Sequence, residues 1–530
     1  MNGINYINLL SSSQTKLEEK CDVCIIGAGA VGIYLASQIA NKNLSVVLIE
    51  TGDIQCKDSE TIGFNTQFLD QVYPGATRGR AFGLGGSTSR WGGLLAPHSE
   101  YDASNSEMLT YNTWNHIIQK ISEKQTTTLK ILGFEEKGIS DIFNLEKIEH
   151  QNKTLNTIGI NSVSNLFIPF QKRNFVSLLK KKSIRASNLK IYTNAVAKNW
   201  FFQSNGKDKT KIRLLSAVAE NGNILEIAAN EFIIAAGAIE SARILLEINL
   251  QTDFPIINSK SKIGCYLSDH LSVPIADVAD LDNNLAIRKF GPWFSKGWMQ
   301  SYRFLESNPP TDSPKAFSHY IFNIENSGFT LAKEIFQSIQ SKKWKLISPK
   351  KFLYGVSGIA ALTYSRYIRS NLYIPSNTKV HLQLDIEQEP HHDNRVTLGN
   401  NEDKFGRLIP EINWSIREED FKNIRQTADR LLIKWELDQE GLPKLLARNE
   451  AGNTTKPHDT YHPVGVCRMG EDEEATVDLD MKVHGTSNLW VVSTGILPSA
   501  GSANPTFTIL CLAETLIENI TTNKNNRLSL

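Results

Sequence analysis

Residues 27–32 read GAGAVG, and no other stretch restricts the fold so tightly. They follow a short apolar run, DVCII (22–26), and open a helical pattern through Ile33, Leu35, Ala36 and Ile39. A second apolar run, VVLI (46–49), ends at Glu50. The order strand, glycine turn, helix, strand, acid predicts a βαβ unit that binds a dinucleotide. Gly27, Gly29 and Gly32 permit a tight turn that lets backbone N–H groups approach a pyrophosphate, and the helix N-terminus adds partial positive charge. Glu50, eighteen residues past Gly32, is placed to accept hydrogen bonds from a ribose 2′-OH. An acid there argues against a 2′-phosphate. The motif by itself leaves NAD and FAD open.

Two further segments carry the same signature of close backbone approach. Residues 79–93 read GRAFGLGGSTSRWGG. They are too rich in glycine and serine for a helix or central strand. Phe82, Leu84 and Trp91 argue against a solvent loop, so this loop is expected to pass against a ligand. Residues 231–246, EFIIAAGAIESARILL, read as a buried strand turning through Gly237 into a helix, and 189–196 (LKIYTNAV) reads as a strand before it. This second βα unit would complete one mixed sheet around one cofactor. In the turn IGCYLSDH (263–270), His270 reads as a packing histidine.

The C-terminal region holds YHPVGVCRMG (461–470), an apolar strand LWVV (489–492), the small-residue run SAGSANPTFT (499–508) and a helix pattern over 509–520. His462 sits in a turn flanked by proline and glycine, where a side chain can be aimed at a ligand. Asn504 precedes Pro505 at a helix start, which points N–H groups at negative charge. The two lie 42 residues apart, and sequence alone does not bring them together. The eleven histidines form no HxxxH or HExxH spacing, and the adjacent His391 and His392 point apart if extended, so no metal site is expected. No GxSxG elbow or Walker loop is present.

Composition removes other classes. Fifty-seven basic residues balance fifty-six acidic ones, for a net charge of +1, without the basic excess that drives nucleic-acid binding. Apolar residues at 41% and charged residues at 21% fit a globular chain rather than a disordered one. The first twenty residues carry no basic region followed by an apolar one, so no secretory signal is expected. The six cysteines are sparse; the Cys21–Cys24 pair falls on a strand, and all six read as free thiols in a reducing cytoplasm. No run approaches the roughly 18 apolar residues of a spanning helix. The nearest, FLYGVSGIAAL (352–362), reads as a buried helix or hairpin rather than a membrane-docking segment.

Together these motifs resemble the glucose–methanol–choline (GMC) flavin oxidoreductases. The resemblance runs in order through GAGAVG to Glu50, GLGGSTSRWGG, AAGAIESARILL, IGCYLSDH and the C-terminal block 461–509, and the C-terminal block is its most specific part. It implies an α/β fold: a Rossmann-like FAD-binding domain assembled from 15–100, 180–272 and 455–530. A mixed α+β substrate domain on an antiparallel sheet would come from 101–179 and 273–454. Length alone suggests about three or four domains, and this interleaving reduces them to two. The implied cofactor is FAD. Its contacts would come from Gly27, Gly29, Ala30, Val31, Gly32, Glu50 and Thr51, and from Gly86, Ser87, Arg90, Trp91, Gly92 and Gly93. Val196, Ala236, Gly237, Ser241, Gly495, Asn504, Pro505 and Thr506 complete the expected set. Some members attach the flavin to a histidine where Arg90 stands here, so non-covalent FAD is expected.

The resemblance assigns His462 as general base and Asn504 as its partner, with hydride passing from the carbinol carbon to flavin N5. The histidine–asparagine form is similar to the cellobiose dehydrogenase, pyranose oxidase and cholesterol oxidase branches, and suggests a sugar or polyol-like alcohol. Alternatives within the same fold are a non-redox flavoenzyme (a lyase or photodecarboxylase) and a subunit of a multi-protein dehydrogenase. The partners expected are a small-molecule alcohol and an electron acceptor, oxygen or another.

Overall fold

The computed structural model describes residues 4–103, 108–134, 153–180, 185–203, 210–251, 261–324, 365, 368–376, 378–437, 441–448 and 456–528. The segment 352–362 lies outside them. Among the described residues, eight strands form one sheet. Its order is Asn5–Asn8, Leu189–Thr193, Val46–Ile49, Lys16–Ile26, Ile224–Ile234, Lys211–Val218 and Val196–Gln203, with Leu489–Val491 also paired to Ile224–Ile234. The first five and Leu489–Val491 run parallel; the remaining two are antiparallel. The strands Lys16–Ile26 and Ile224–Ile234 each have an outer half with exposed positions and an inner half, ending at Ile26 and Ile234, that is wholly buried. A parallel strand covered on both faces needs an uninterrupted apolar run, and VCII, FII and VVLI supply it.

The expected strand over 189–196 is two strands. Asn194, at φ 52, turns the chain between them, and asparagine tolerates that left-handed conformation better than most residues. The parallel sheet also reaches back to Asn5–Asn8, before the expected start at 15, because Asn5 to Asn8 pair in register with Lys190 to Thr193.

A second sheet is antiparallel throughout, in the order Leu445–Ala447, His270–Val278, Lys379–Glu387, Ala316–Asn323, Trp298–Glu306, Ile160–Phe167 and Leu94–Leu95. Pro274 sits where the register of its strand shifts, as a residue without an N–H must. The helix Glu418–Glu436 buries Ile424, Ala428, Leu431 and Trp435 on one face. That spacing is one stripe of a 3.6-residue period, and Trp435 meets Phe290, Phe304 and Tyr320. The helix Pro505–Leu528 packs on Ala30–Asn41 and on Met108–Leu132. Tyr34 donates to Glu514 at 2.8 Å across the first of those contacts.

One short pairing sets the site. Strand His458–Asp459 lies antiparallel to the start of His270–Val278, with Leu271 opposite Asp459 and Ser272 opposite His458. Ser268 then bridges Val464. This ladder carries Asp269 and His270 alongside residues 460–462.

Candidate active site

The three glycine-containing segments meet at the carboxyl ends of the parallel strands. Gly85 N–H donates to the Ala28 carbonyl at 2.9 Å, tying the 79–93 loop to the first glycine turn. A Cβ on Gly32 would stand 1.8 Å from the Gly27 carbonyl oxygen, so only glycine lets the helix Ala30–Asn41 start there. A cleft of about 230 Å³ opens between these segments. Gly27, Gly29, Ala30, Val31, Glu50 and Thr51 line one end. Gly86, Ser87, Trp91, Ala236 and Gly237 also line it, with Thr506 from the C-terminal helix. Tyr461, Pro463, Ser493 and Thr494 extend the lining toward His462.

Glu50 is buried and its carboxylate is already engaged: Oε2 accepts from Ala28 N–H at 2.8 Å and Oε1 from Gly52 N–H at 2.9 Å. Burial pushes its pKa up, opposed by these hydrogen bonds. A carboxylate has about four lone-pair positions, so the acid holds the turn and keeps capacity for a ligand hydroxyl.

Several expected contact residues sit elsewhere. Arg90 turns outward to Asp58, 2.5 Å away. Val196 packs with Ile62, Phe64 and Phe82. Ser241 is fully buried in its helix, and Gly495 lies against Val466 and Ala238 behind the lining. Gly32, Gly92, Gly93, Asn504 and Pro505 are not part of the lining. Gly93 instead accepts at its carbonyl from Ile168 N–H at 2.8 Å. Arg90, Gly92, Ser241, Gly495 and Pro505 each stand next in sequence to a cleft residue, and adjacent positions point their side chains in different directions.

Arg80 and Glu240 line the cleft and were not expected there. They pair at 2.9 Å and continue into a buried network, Arg407 to Glu240 at 2.8 Å, Arg407 to Glu247 at 2.7 Å and Arg243 to Asp403 at 2.7 Å. Burial alone would raise the Glu240 carboxyl, but Arg407, Arg243 and Arg80 outweigh it and hold Glu240 at about 2.

His462 and Asn504 do meet: Asn504 Nδ2 lies 3.4 Å from His462 Nε2. Asn504 is held by a backbone bridge to Ala96. The loop before it is fastened on several sides. His98 reaches the Ala500 carbonyl at 2.9 Å, Glu387 accepts from Gly501 N–H at 2.9 Å and Asp102 from Ser502 N–H at 2.6 Å. Arg303 donates to the carbonyls of Ser502 and Pro97.

On its other edge, His462 Nδ1 lies 2.9 Å from Thr460 Oγ1 and 3.3 Å from His270 Nδ1. Asp269 sits behind them, fully buried. His270 is thus a neighbour of the site, not only a packing residue. Asp269, Thr460 and Tyr73 are further site residues; Asp269 directly precedes His270 and Thr460 stands two residues before His462, while nothing in the sequence points to Tyr73. Desolvation, then the neighbouring His270 and His98, push His462 down to about 3, so its ring is neutral at ordinary pH. Asp269, His270 and His462 bring three potential metal-ligand atoms within 4.8 Å of one another. Both oxygens of Asp269 already accept hydrogen bonds, however.

Among the described residues all six cysteines are free, five of them buried, and no helix is long and apolar enough to cross a membrane.

A family model described as GMC oxidoreductase matches residues 390–513, the segment that carries His462 and Asn504. The oxygen-dependent choline dehydrogenase of Cronobacter sakazakii is 24% identical over 358 residues, covering 63% of this chain and 57% of that protein. The chain therefore spans little more than half the length of that relative. The pyridoxine 4-oxidase of Microbacterium luteolum is 42% identical over 94 residues, 17% of this chain and 18% of that protein. Among solved structures, pyridoxine 4-oxidase from Mesorbium loti superposes with a TM-score of 0.53 at 16% identity, covering 94% of this chain and 99% of that one. A formate oxidase structure gives 0.55 at 16% identity, covering 96% and 99%. The structural likeness shows the fold, and the matched C-terminal segment holds the paired histidine and asparagine of the site. Over residues 390–513 the chain matches the GMC oxidoreductase family, and its fold is like that of the two solved oxidases.

Proposed function

We propose that this chain binds FAD and oxidises an alcohol carbon to a carbonyl. The observation that carries the reading is the pairing of His462 Nε2 with Asn504 Nδ2 at 3.4 Å, beside a cleft floored by two glycine turns.

The residues fit the cofactor. A Cβ built on Gly29 or on Gly237 meets nothing within 4 Å, although both line the cleft. Each βα turn therefore leaves a space where a side chain would otherwise stand. The turn at Gly27–Gly29 and the helix behind it would hold the pyrophosphate, and Glu50 a ribose hydroxyl. Gly86, Ser87, Trp91, Ala236, Gly237 and Thr506 would border the remainder. With Arg90 engaged by Asp58, non-covalent attachment is the reading we favour. When bound, FAD supplies a two-electron acceptor for the hydrogen on the carbinol carbon.

The chain's own groups handle the proton. His462 is neutral at working pH, so its Nε2 is available as a base. The amide of Asn504 is a donor close enough for one hydroxyl oxygen to reach both groups. The oxygen would accept from Asn504 Nδ2 while its proton passes to His462 Nε2. The pair is half-buried, and a substrate seated on it would exclude the remaining water and strengthen both contacts.

A polyol or sugar is the first substrate candidate, from the histidine–asparagine pair; choline and pyridoxine, the compounds in the relatives' names, are the natural comparisons. The test is anaerobic mixing of the yellow protein with an alcohol panel, followed by acid precipitation of a second sample. Bleaching by one alcohol class and yellow colour in the acid supernatant are expected. A flavin that no alcohol reduces would refute the oxidation reading, and a colourless protein the cofactor reading.

A further inference from the structure

Resting on the alcohol-oxidation reading, we propose that Thr460, backed by Asp269, is a positioning residue that fixes the His462 ring with its proton on Nδ1 and its lone pair on Nε2.

Hydrogen-bond accounting leads to this assignment. An ionised carboxylate only accepts. Asp269 Oδ2 receives the Tyr73 hydroxyl at 2.5 Å and His462 N–H at 2.9 Å. Oδ1 receives His270 N–H at 2.7 Å and the Thr460 hydroxyl at 3.1 Å. The Thr460 proton is therefore committed to Asp269, and what Oγ1 offers to His462 Nδ1, 2.9 Å away, is a lone pair.

His270 gives the same answer independently. Its Nε2 lies 2.9 Å from the Gly501 carbonyl, which can only accept, so Nε2 carries the hydrogen. Its Nδ1 is then a lone pair facing His462 Nδ1 at 3.3 Å. Both neighbours of His462 Nδ1 are acceptors, so that nitrogen bears the hydrogen. The free lone pair is left on Nε2, beside the Asn504 donor. The second nitrogen's partner is what sets a histidine tautomer.

The arrangement also answers a difficulty. A histidine desolvated as strongly as His462 is a poor proton acceptor unless its conjugate acid is stabilised. When Nε2 gains the hydroxyl proton, Nδ1–H keeps its acceptor in Thr460, whose own hydroxyl is polarised by Asp269. No atom moves far, and the proton stays on His462 Nε2.

The experiment compares wild type, Thr460→Ser and Thr460→Val, each loaded with FAD and labelled with ¹⁵N-histidine, at pH 8. Burial raises Asp269 to about 7, so at pH 8 it is ionised. The His462 signals are assigned by their loss in His462→Gln. Wild type and Thr460→Ser are expected to give a protonated Nδ1 and an unprotonated Nε2. In Thr460→Val the two tautomers should mix, with flavin reduction slowed by about tenfold or more and KM changed less than about threefold. A wild-type ring protonated on Nε2 would overturn the proposal, as would a valine variant with unchanged signals and rate. The wild-type spectrum decides even if the valine variant fails to fold. If the spectra are as expected but no alcohol reduces the flavin, the oxidation reading fails while the tautomer assignment stands.

Discussion

At the scale of single residues, the site divides into groups that local sequence could point to and groups it could not. His462 and Asn504 each lie in a run of small residues and prolines whose composition singles them out. Glu50 was legible as the acid ending the second strand, although its two backbone hydrogen bonds, to Ala28 and Gly52, were not. Thr460 and Tyr73 carry no such context, since a lone threonine or tyrosine is far more often structural. Their roles come from atoms brought to within 3.1 Å by residues roughly 190 positions away. Asn504→Ala should leave the fold intact and cut flavin reduction by about 10²-fold, the scale for removing one donor to a reacting oxygen. Stopped-flow reduction of the FAD-loaded variant checks this, and an unchanged rate would remove Asn504 from the proposed mechanism.

At the scale of elements, the two βα turns were legible because each repeats a pattern tied to backbone geometry. Asn194 was not, because one left-handed residue in an apolar run leaves the periodicity of the run unchanged. The turns make a paired prediction. Gly32→Ala places a Cβ 1.8 Å from the Gly27 carbonyl and should destabilise by more than about 3 kcal/mol, beyond ordinary overpacking. A Cβ on Gly29 meets nothing within 4 Å, so Gly29→Leu should keep the unfolding midpoint of the flavin-free wild type, yet purify without flavin. Absorbance at 450 nm beside urea unfolding separates the two outcomes. The helix Gly237–Leu250 supplies a further case through Glu240. Its carboxyl is held at about 2 by three arginines, below its ordinary 4.5. The stability it contributes is present above pH 4.5 and lost as pH falls from there through about 2. Glu240→Gln leaves buried guanidinium groups without their counter-charge and should cost about 3 kcal/mol at pH 7. Urea titrations at pH 7 and pH 3 should show a smaller difference between variant and wild type at pH 3.

At the scale of the whole molecule, the parallel sheet draws its strands from residues 5–49, 189–234 and 489–491. The antiparallel sheet runs from 94–95 to 458–459 and so crosses the segment boundaries expected from the motifs. Short pairings such as Leu271 with Asp459 have no local signal, and they bring Asp269 beside His462. Arg303 links the antiparallel sheet to the loop that carries Asn504. It stands on the antiparallel strand Trp298–Glu306 and donates to the carbonyls of Pro97 and Ser502. Burial lowers it to about 10, still protonated at pH 7. Lysine cannot make that forked contact, so Arg303→Lys should cost about 2 kcal/mol and loosen the loop that carries Asn504. Urea unfolding beside flavin reduction would record both effects. The measurement that bears most directly on the whole account is single-turnover flavin reduction by an active alcohol in His462→Ala. His462→Ala should keep its yellow flavin spectrum and lose at least about 10²-fold in reduction rate. A rate equal to wild type would contradict the role of His462 as base.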